Sequence, residues 1–155
     1  MIVGQAGFSI QGQKSLGRIF LEYGCGQGST CGPRGACVYT GLAMSCIFCK
    51  IVEGSIPSKA VHQDELSYAF ADIDPKAPVH VLVIPREHIA ALSEADESRK
   101  ALLGHLMWVA AEVAREQGLG AGYRVVVNNG KNGGQAVDHL HLHVMGGRQM
   151  AWPPG

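Results

Sequence analysis

His139-Leu140-His141-Leu142-His143-Val144 carries the pattern that decides how this chain is read. Side chains of a strand alternate between its two faces, so the three imidazoles share one face, about 6.6 Å apart along it. The intervening leucines turn to the other face and into a core. That spacing is too wide for neighbouring rings to bond one another, and it suits three imidazoles around one small charged group, a phosphate or a metal ion. Three of the chain's seven histidines fall in this stretch, so a solvated strand with incidental histidines is the weaker reading. Three histidines on a sheet can hold a catalytic zinc that ionises a bound water. A neutral imidazole can instead attack phosphorus and form a covalent intermediate. Spacing alone does not separate the two.

Working outward, strands outnumber helices. Tyr123 to Val127 reads as a strand, joined to a last strand over His139 to Met145 through Asn128-Asn-Gly-Lys-Asn-Gly-Gly134, a loop rich in residues that accept positive φ. The short connection permits an antiparallel hairpin. Val79 to Ile84 is a nearly continuous apolar run stopped by Pro85, as in a central strand, and Leu66 to Ile73 is a further strand closed by Asp74-Pro75. The clearest helix follows. Leu102, Leu106, Val109 and Val113 recur at helical spacing, with Leu103 and Ala110 widening the stripe, Gly118 as C-cap and Ser93 as the expected N-cap of the element. Cys46 to Glu53 forms a short helix ended by Gly54 and Ile56-Pro57. The class is α+β, with a small antiparallel sheet, one long helix and one short helix.

A chain of 155 residues with 46% hydrophobic composition suits one globular domain. It buries roughly two thirds of its unfolded surface. Thirteen basic and thirteen acidic residues cancel, which argues against a nucleic-acid surface or a polybasic membrane anchor. No apolar run approaches the roughly 18 residues that cross a bilayer. Residues 1–43 are glycine-rich, hold one acid and three bases, and lack the apolar core of a secretory signal. They read as a poorly ordered extension or an upstream mis-start, with the domain over 44–155 opening at Met44. Five cysteines, an odd count without a signal peptide, point to a reducing, cytoplasmic compartment. Gly130-Lys131 is followed by Asn132 rather than Ser or Thr, so it is not the phosphate loop of kinases and ATPases.

The His-Leu-His-Leu-His-Val stretch resembles the signature of the histidine-triad superfamily. The likeness extends through Cys46-Ile-Phe-Cys-Lys-Ile-Val-Glu-Gly-Ser-Ile-Pro-Ser58, Ala69-Phe-Ala-Asp-Ile-Asp-Pro-Lys-Ala-Pro-Val-His80, Val83-Ile-Pro-Arg-Glu-His-Ile89 and Gly146-Gly-Arg-Gln-Met-Ala-Trp-Pro-Pro-Gly155, all similar to the Hint branch. It covers about residues 44–155 and not 1–43. The resemblance implies a homodimer with the sheet extended across it, and a purine nucleoside phosphoramidase cleaving the P–N bond of nucleoside 5′-phosphoramidates. His141 would be the nucleophile, His143 would contact the phosphate, and His139 would orient the nucleophile or bind elsewhere. Asp72 corresponds to the ribose-binding carboxylate, which can accept from two vicinal hydroxyls, and Ile73 would pack on the purine. His80, Asn128, Gly134, Gln135 and Ala136 complete the implied nucleotide and leaving-group contacts. Ala136 replaces a serine common in that branch, and Asp138 stands where an aromatic or other residue is frequent, which bears on leaving-group preference and rate.

Catalysis implies no cofactor. Some histidine-triad proteins hold a metal at positions matching Cys46, Cys49, His88 and His139. Two thiolates and two imidazoles form a closed tetrahedral set, hence a structural zinc. Cys46-x-x-Cys49 alone also suits redox chemistry or a core. His62 and His105 read as ordinary surface or helix residues, and Trp152 as a core or interface anchor. Two rivals stand: a dinucleoside polyphosphate hydrolase or nucleotidyl transferase using the same histidine, and a nucleotide-binding scaffold with little activity.

Overall fold

The computed structural model describes residues 46–154. The expected extension over 1–43 and the start at Met44 lie outside the described residues. Seven elements follow in chain order: α1 (Ile47–Val52), β1 (Ala60–Gln63), β2 (Ser67–Ala71), β3 (Val79–Pro85), α2 (Lys100–Glu116), β4 (Tyr123–Val127) and β5 (Leu142–Gly146). The five strands form one sheet in the order β1-β2-β3-β5-β4, every pair antiparallel. β1 was not anticipated from sequence. Its residues are half-buried or exposed at the sheet edge and show no apolar alternation.

Register divides the sheet into two chemically distinct faces. Val81↔Val144 and Val83↔Leu142 pair between β3 and β5, and with Ala69 they turn toward α2. There they meet Leu106, Val109, Ala110 and Val113, the anticipated helical stripe, all at 0% exposure. Each such aliphatic side chain contributes roughly 1.5–3 kcal/mol by leaving water. The opposite face carries Phe70, Leu82 and Ile84, packed on Phe48 and Ile51 of α1. Because strand side chains alternate, the residues between the α2-facing valines, His80 on β3 and His143 on β5, must project to the α1 side.

Two ends differ from expectation. Ser93 does not cap α2; it lies in a 3₁₀ turn, where its N–H donates to Asn129 Oδ1 at 2.9 Å. A second 3₁₀ turn at Glu97–Arg99, capped by the Asp96 side chain, leads directly into α2 at Lys100. The last strand joins the ladder only at Leu142, so His139 to His141 run ahead of it. At the other end of α2 the expectation holds. Gly118 takes φ +72°, the left-handed conformation that ends helices, and Leu119 N–H returns to Ala114 O. Among the described residues no helix is long and apolar enough to cross a membrane.

Candidate functional site

A cavity of about 670 Å³ opens on the α1 side of the sheet. Ile47, Phe48 and Ile51 of α1, with Phe70 and Leu82, make one apolar wall; His80, His141 and His143 line its middle. Asn128, Ala136, Arg124 and Arg148 lie toward the β4 side. Ile73 projects at the mouth, 98% exposed, beside Asp72. His141 and His80 are nearly closed off, at 4% and 6% exposure.

Hydrogen-bond partners assign the tautomers here. His141 Nδ1 lies 2.7 Å from the His139 carbonyl, which can only accept. Nδ1 therefore carries a proton, and in the neutral ring Nε2 keeps its lone pair. His80 Nδ1 accepts from Lys76 N–H at 3.2 Å, so neutral His80 carries its proton on Nε2. That atom is 2.9 Å from His143 Nδ1 and 3.5 Å from Asp72 Oδ2. His143 thus accepts at Nδ1 and offers Nε2–H. Asn128 Nδ2 stands 3.5 Å from both His143 Nε2 and Gly134 O, and with Nε2 protonated only the carbonyl bond is made. Burial lowers the pKa of His80, partly opposed by Asp72. Burial, then the neighbouring His141 and His80, pushes His143 down to about 4. Both imidazoles are neutral at pH 7, which the tautomer chain requires.

His139 does not join the cavity. Its ring, at 0% exposure, turns the other way, donating from Nε2 to Pro85 O at 3.0 Å. Its free Nδ1 lies 3.5 Å from Cys46 Sγ and 3.6 Å from Cys49 Sγ, and His88 Nδ1 lies 3.3 Å from Cys49 Sγ. A tetrahedral centre with zinc–sulfur and zinc–nitrogen bonds of ordinary length has S···N edges of about 3.6 Å. The separations fit, and an imidazole held through its other nitrogen by a carbonyl is how metal-ligating histidines are oriented. In the absence of a cation, burial and then the adjacent Cys46 push the Cys49 thiol up to about 11. A divalent ion is what would let both sulfurs ionise. Asp72, His80 and His143 also converge within 4.8 Å. Hydrogen bonds between the histidines account for that group.

Three imidazoles around one group were expected; instead two face the cavity while the third faces the cysteines. Both His139 and His141 precede the β5 ladder; what sets His139 apart is its Nε2 bond to Pro85 O, which holds its ring away from the cavity. Asp72, Ile73, His80, Asn128, Ala136, His141 and His143 converge on the cavity. Gln135 spends its side chain on the loop, donating to Ala90 O and Val137 O and accepting from Gly130 N–H. Gly134 takes φ +77° there, a conformation that favours glycine. Trp152 is 85% exposed and anchors no core among the described residues. His62 and His105 both meet Asp64, at 3.4 and 2.9 Å. Burial raises the Asp64 pKa, but donors from Leu66, Ser67 and His105 together hold it well below the usual carboxylate range. Sequence reasoning missed the α1 wall and both arginines. The apolar spacing of Ile47 and Ile51 was the available signal for the first.

Comparison with known proteins agrees with this geometry. The chain is 52% identical over 109 residues to an uncharacterized HIT-like protein of Synechococcus elongatus, spanning 70% of this chain and 96% of that protein. The crystal structure of a HIT family hydrolase from Legionella pneumophila superposes with a TM-score of 0.70 at 47% identity, covering 71% of this chain and 99% of that one. A histidine triad nucleotide-binding protein from Candida albicans superposes with a TM-score of 0.59 at 37% identity, over 64% of this chain and 73% of that one. The HIT domain family profile matches residues 53–150, which hold β1 to β5, His141 and His143. With the fold, the histidine stretch and these relatives in agreement, the chain belongs to the HIT domain family.

Proposed function

We propose that the protein is a purine nucleoside phosphoramidase of the Hint type, hydrolysing P–N bonds of nucleoside 5′-phosphoramidates. The observation that carries the reading is the tautomer of His141: its own chain's carbonyl holds Nδ1–H, leaving the Nε2 lone pair to the cavity. In the proposed mechanism Nε2 attacks the α-phosphorus, the P–N bond breaks with its electron pair going to nitrogen, and the amine departs with a proton taken from solvent water. Water then cleaves the nucleotidyl-histidine, returning His141 and releasing the monophosphate. His143 Nε2–H donates to a phosphoryl oxygen as charge builds there, and His80 keeps that hydrogen in place. The apolar wall takes the base, Ile73 covers it, and Asp72 accepts from the ribose hydroxyls. Support also comes from relatives described as a hydrolase and as a nucleotide-binding protein.

A structural zinc at Cys46, Cys49, His88 and His139 fits the donor set, with no step of the reaction passing through it. A homodimer joined along the free edge of β4 would continue the sheet. Reduced thiols suit a cytoplasmic site of action. One observation favours a second reading. Arg124 and Arg148 line the cavity and, among the described residues, donate to main-chain carbonyls rather than carboxylates, which would suit the anionic leaving group of a dinucleoside polyphosphate.

The test is hydrolysis of adenosine 5′-phosphoramidate by the wild type and His141→Asn, with a mass-spectrometric search for the adenylylated peptide. Turnover and adduct in the wild type, both lost in the variant, are expected. Retained turnover without His141 would overturn the mechanism. Faster cleavage of diadenosine tetraphosphate than of the phosphoramidate would favour the second reading.

A further inference from the structure

His139 belongs to two sites at once. Its ring lies among the sulfurs of Cys46 and Cys49, while its backbone carbonyl takes the Nδ1 proton of His141 at 2.7 Å. Helix α1 connects the same two places. It has only six residues, starts at Cys46 without a side-chain cap, and carries Cys49 in its first turn. The Phe48 ring packs edge-on against His139 and His141, with centroids 5.8 and 5.4 Å away. Ile47, Phe48 and Ile51 form the cavity's apolar wall. So short a helix is not stable alone and holds its place through tertiary contacts. The thiols sit where that hold begins.

We propose that Cys46 and Cys49 form an oxidisable latch: a two-electron oxidant of the peroxide class joins them as a disulfide, expels the metal, and slackens the wall that grips the nucleotide. The inference rests on the nucleotide site and zinc centre proposed above. One metal-bound thiolate reacts with hydrogen peroxide and a proton to give a sulfenic acid and water. The second thiolate, with another proton, displaces a second water and closes the S–S bond. Two electrons pass from sulfur to the peroxide oxygens, and the zinc leaves as the free ion. In the disulfide the sulfurs lie about 2.05 Å apart, against roughly 3.8 Å across a tetrahedral zinc site. At least one sulfur must therefore leave the position that His139 and His88 address. His88 is exposed, and two imidazoles supply only half of the four ligands of a tetrahedral structural zinc. Loss of the centre frees the start of α1, and Phe48 with it, and loosens the segment whose carbonyl orients His141.

The experiment uses the full chain with Cys25, Cys31 and Cys37 changed to Ser, so that only the two latch thiols respond. The zinc-loaded protein is titrated with hydrogen peroxide. Zinc release, the mass of the Cys46–Cys49 peptide, AMP affinity by calorimetry and phosphoramidate turnover are followed together. One zinc should leave per disulfide formed, with a mass loss of two hydrogens. AMP affinity should weaken by roughly tenfold, about the worth of one aliphatic contact, and reductant with zinc should restore it. Cys46→Ser with Cys49→Ser should bind AMP weakly from the outset and ignore peroxide. If that variant fails to fold, the reversible response of the parent protein, with its helical circular dichroism retained, still decides. No zinc bound, no disulfide formed, or AMP affinity unchanged with the disulfide in place would each overturn the latch. A peroxide-sensitive AMP site without phosphoramidate turnover would overturn the proposed activity and leave the latch standing.

Discussion

Replacing His80 by leucine removes the hydrogen bond to His143 while keeping an apolar side chain of similar size in a place that is 6% exposed. In the folded protein His80 Nε2–H reaches His143 Nδ1 at 2.9 Å, and that contact keeps the one ring proton of His143 on Nε2, pointing into the cavity. Without it, His143 Nδ1 is a half-buried acceptor with no partner, and the tautomer with its proton on Nδ1 becomes competitive. An unsatisfied buried group costs about 1–3 kcal/mol. Because the Nε2–H donor is needed as charge develops on phosphorus, most of that cost falls on the transition state. The expected loss in kcat is roughly ten- to hundredfold. Glutamine at 80 can place an amide N–H close to the position of the imidazole Nε2, so His80→Gln should recover much of the loss. Steady-state kinetics on adenosine 5′-phosphoramidate at pH 7 separate kcat from KM, and calorimetry gives AMP affinity. An unchanged kcat in His80→Leu, or a glutamine variant no better than leucine, would refute the tautomer argument.

His143 also links stability to pH. Its folded pKa is about 4 against an ordinary 6.5, so below pH 6.5 the unfolded chain binds a proton that the folded one refuses. Stability should fall as pH drops from 6.5 toward 4, by at most about 1.4 kcal/mol per pH unit from this group. Denaturant midpoints at pH 6.5 and 5 should converge in His143→Gln, and equal slopes in both proteins would refute the assignment. Leu140, 1% exposed in the α2 core, should cost about 2–5 kcal/mol when changed to alanine. A loss under 1 kcal/mol in the same unfolding assay would mean that it does not face that core. Sedimentation should find twice the chain mass if β4 pairs across a dimer, and a concentration-independent monomer would remove that proposal.

Much of the architecture could be read before any coordinates. Val79 to Pro85, the α2 stripe ending at Gly118 and the β4–β5 hairpin were legible because each carries its own periodicity or turn chemistry. Edge strand β1 was not, since its neighbours in the sheet, rather than its own side chains, make it a strand. The capping of α2 was misplaced to Ser93 because capping residues recur at Ser93, Asp96 and Ser98, and only the path of the chain selects among them.

The candidate site divides in the same way. Sequence by itself determined which side chains could do chemistry: imidazoles at alternate positions, a carboxylate before Asp74-Pro75, and a thiol pair near the start of the domain. Those are local properties of residue type and spacing. Spacing put all three imidazoles on one face, and only the family resemblance set His139 with the cysteines; the tertiary structure supplies the reason, a bond to Pro85 O that turns its ring there while His141 and His143 face the cavity. It also decided which nitrogen of each ring carries a proton, because the path of the backbone brings the Pro85 and His139 carbonyls and the Lys76 amide to the rings, the first across 54 residues and the other two within the local turn. An imidazole's role depends on what its second nitrogen meets, and that meeting exists only in the folded chain.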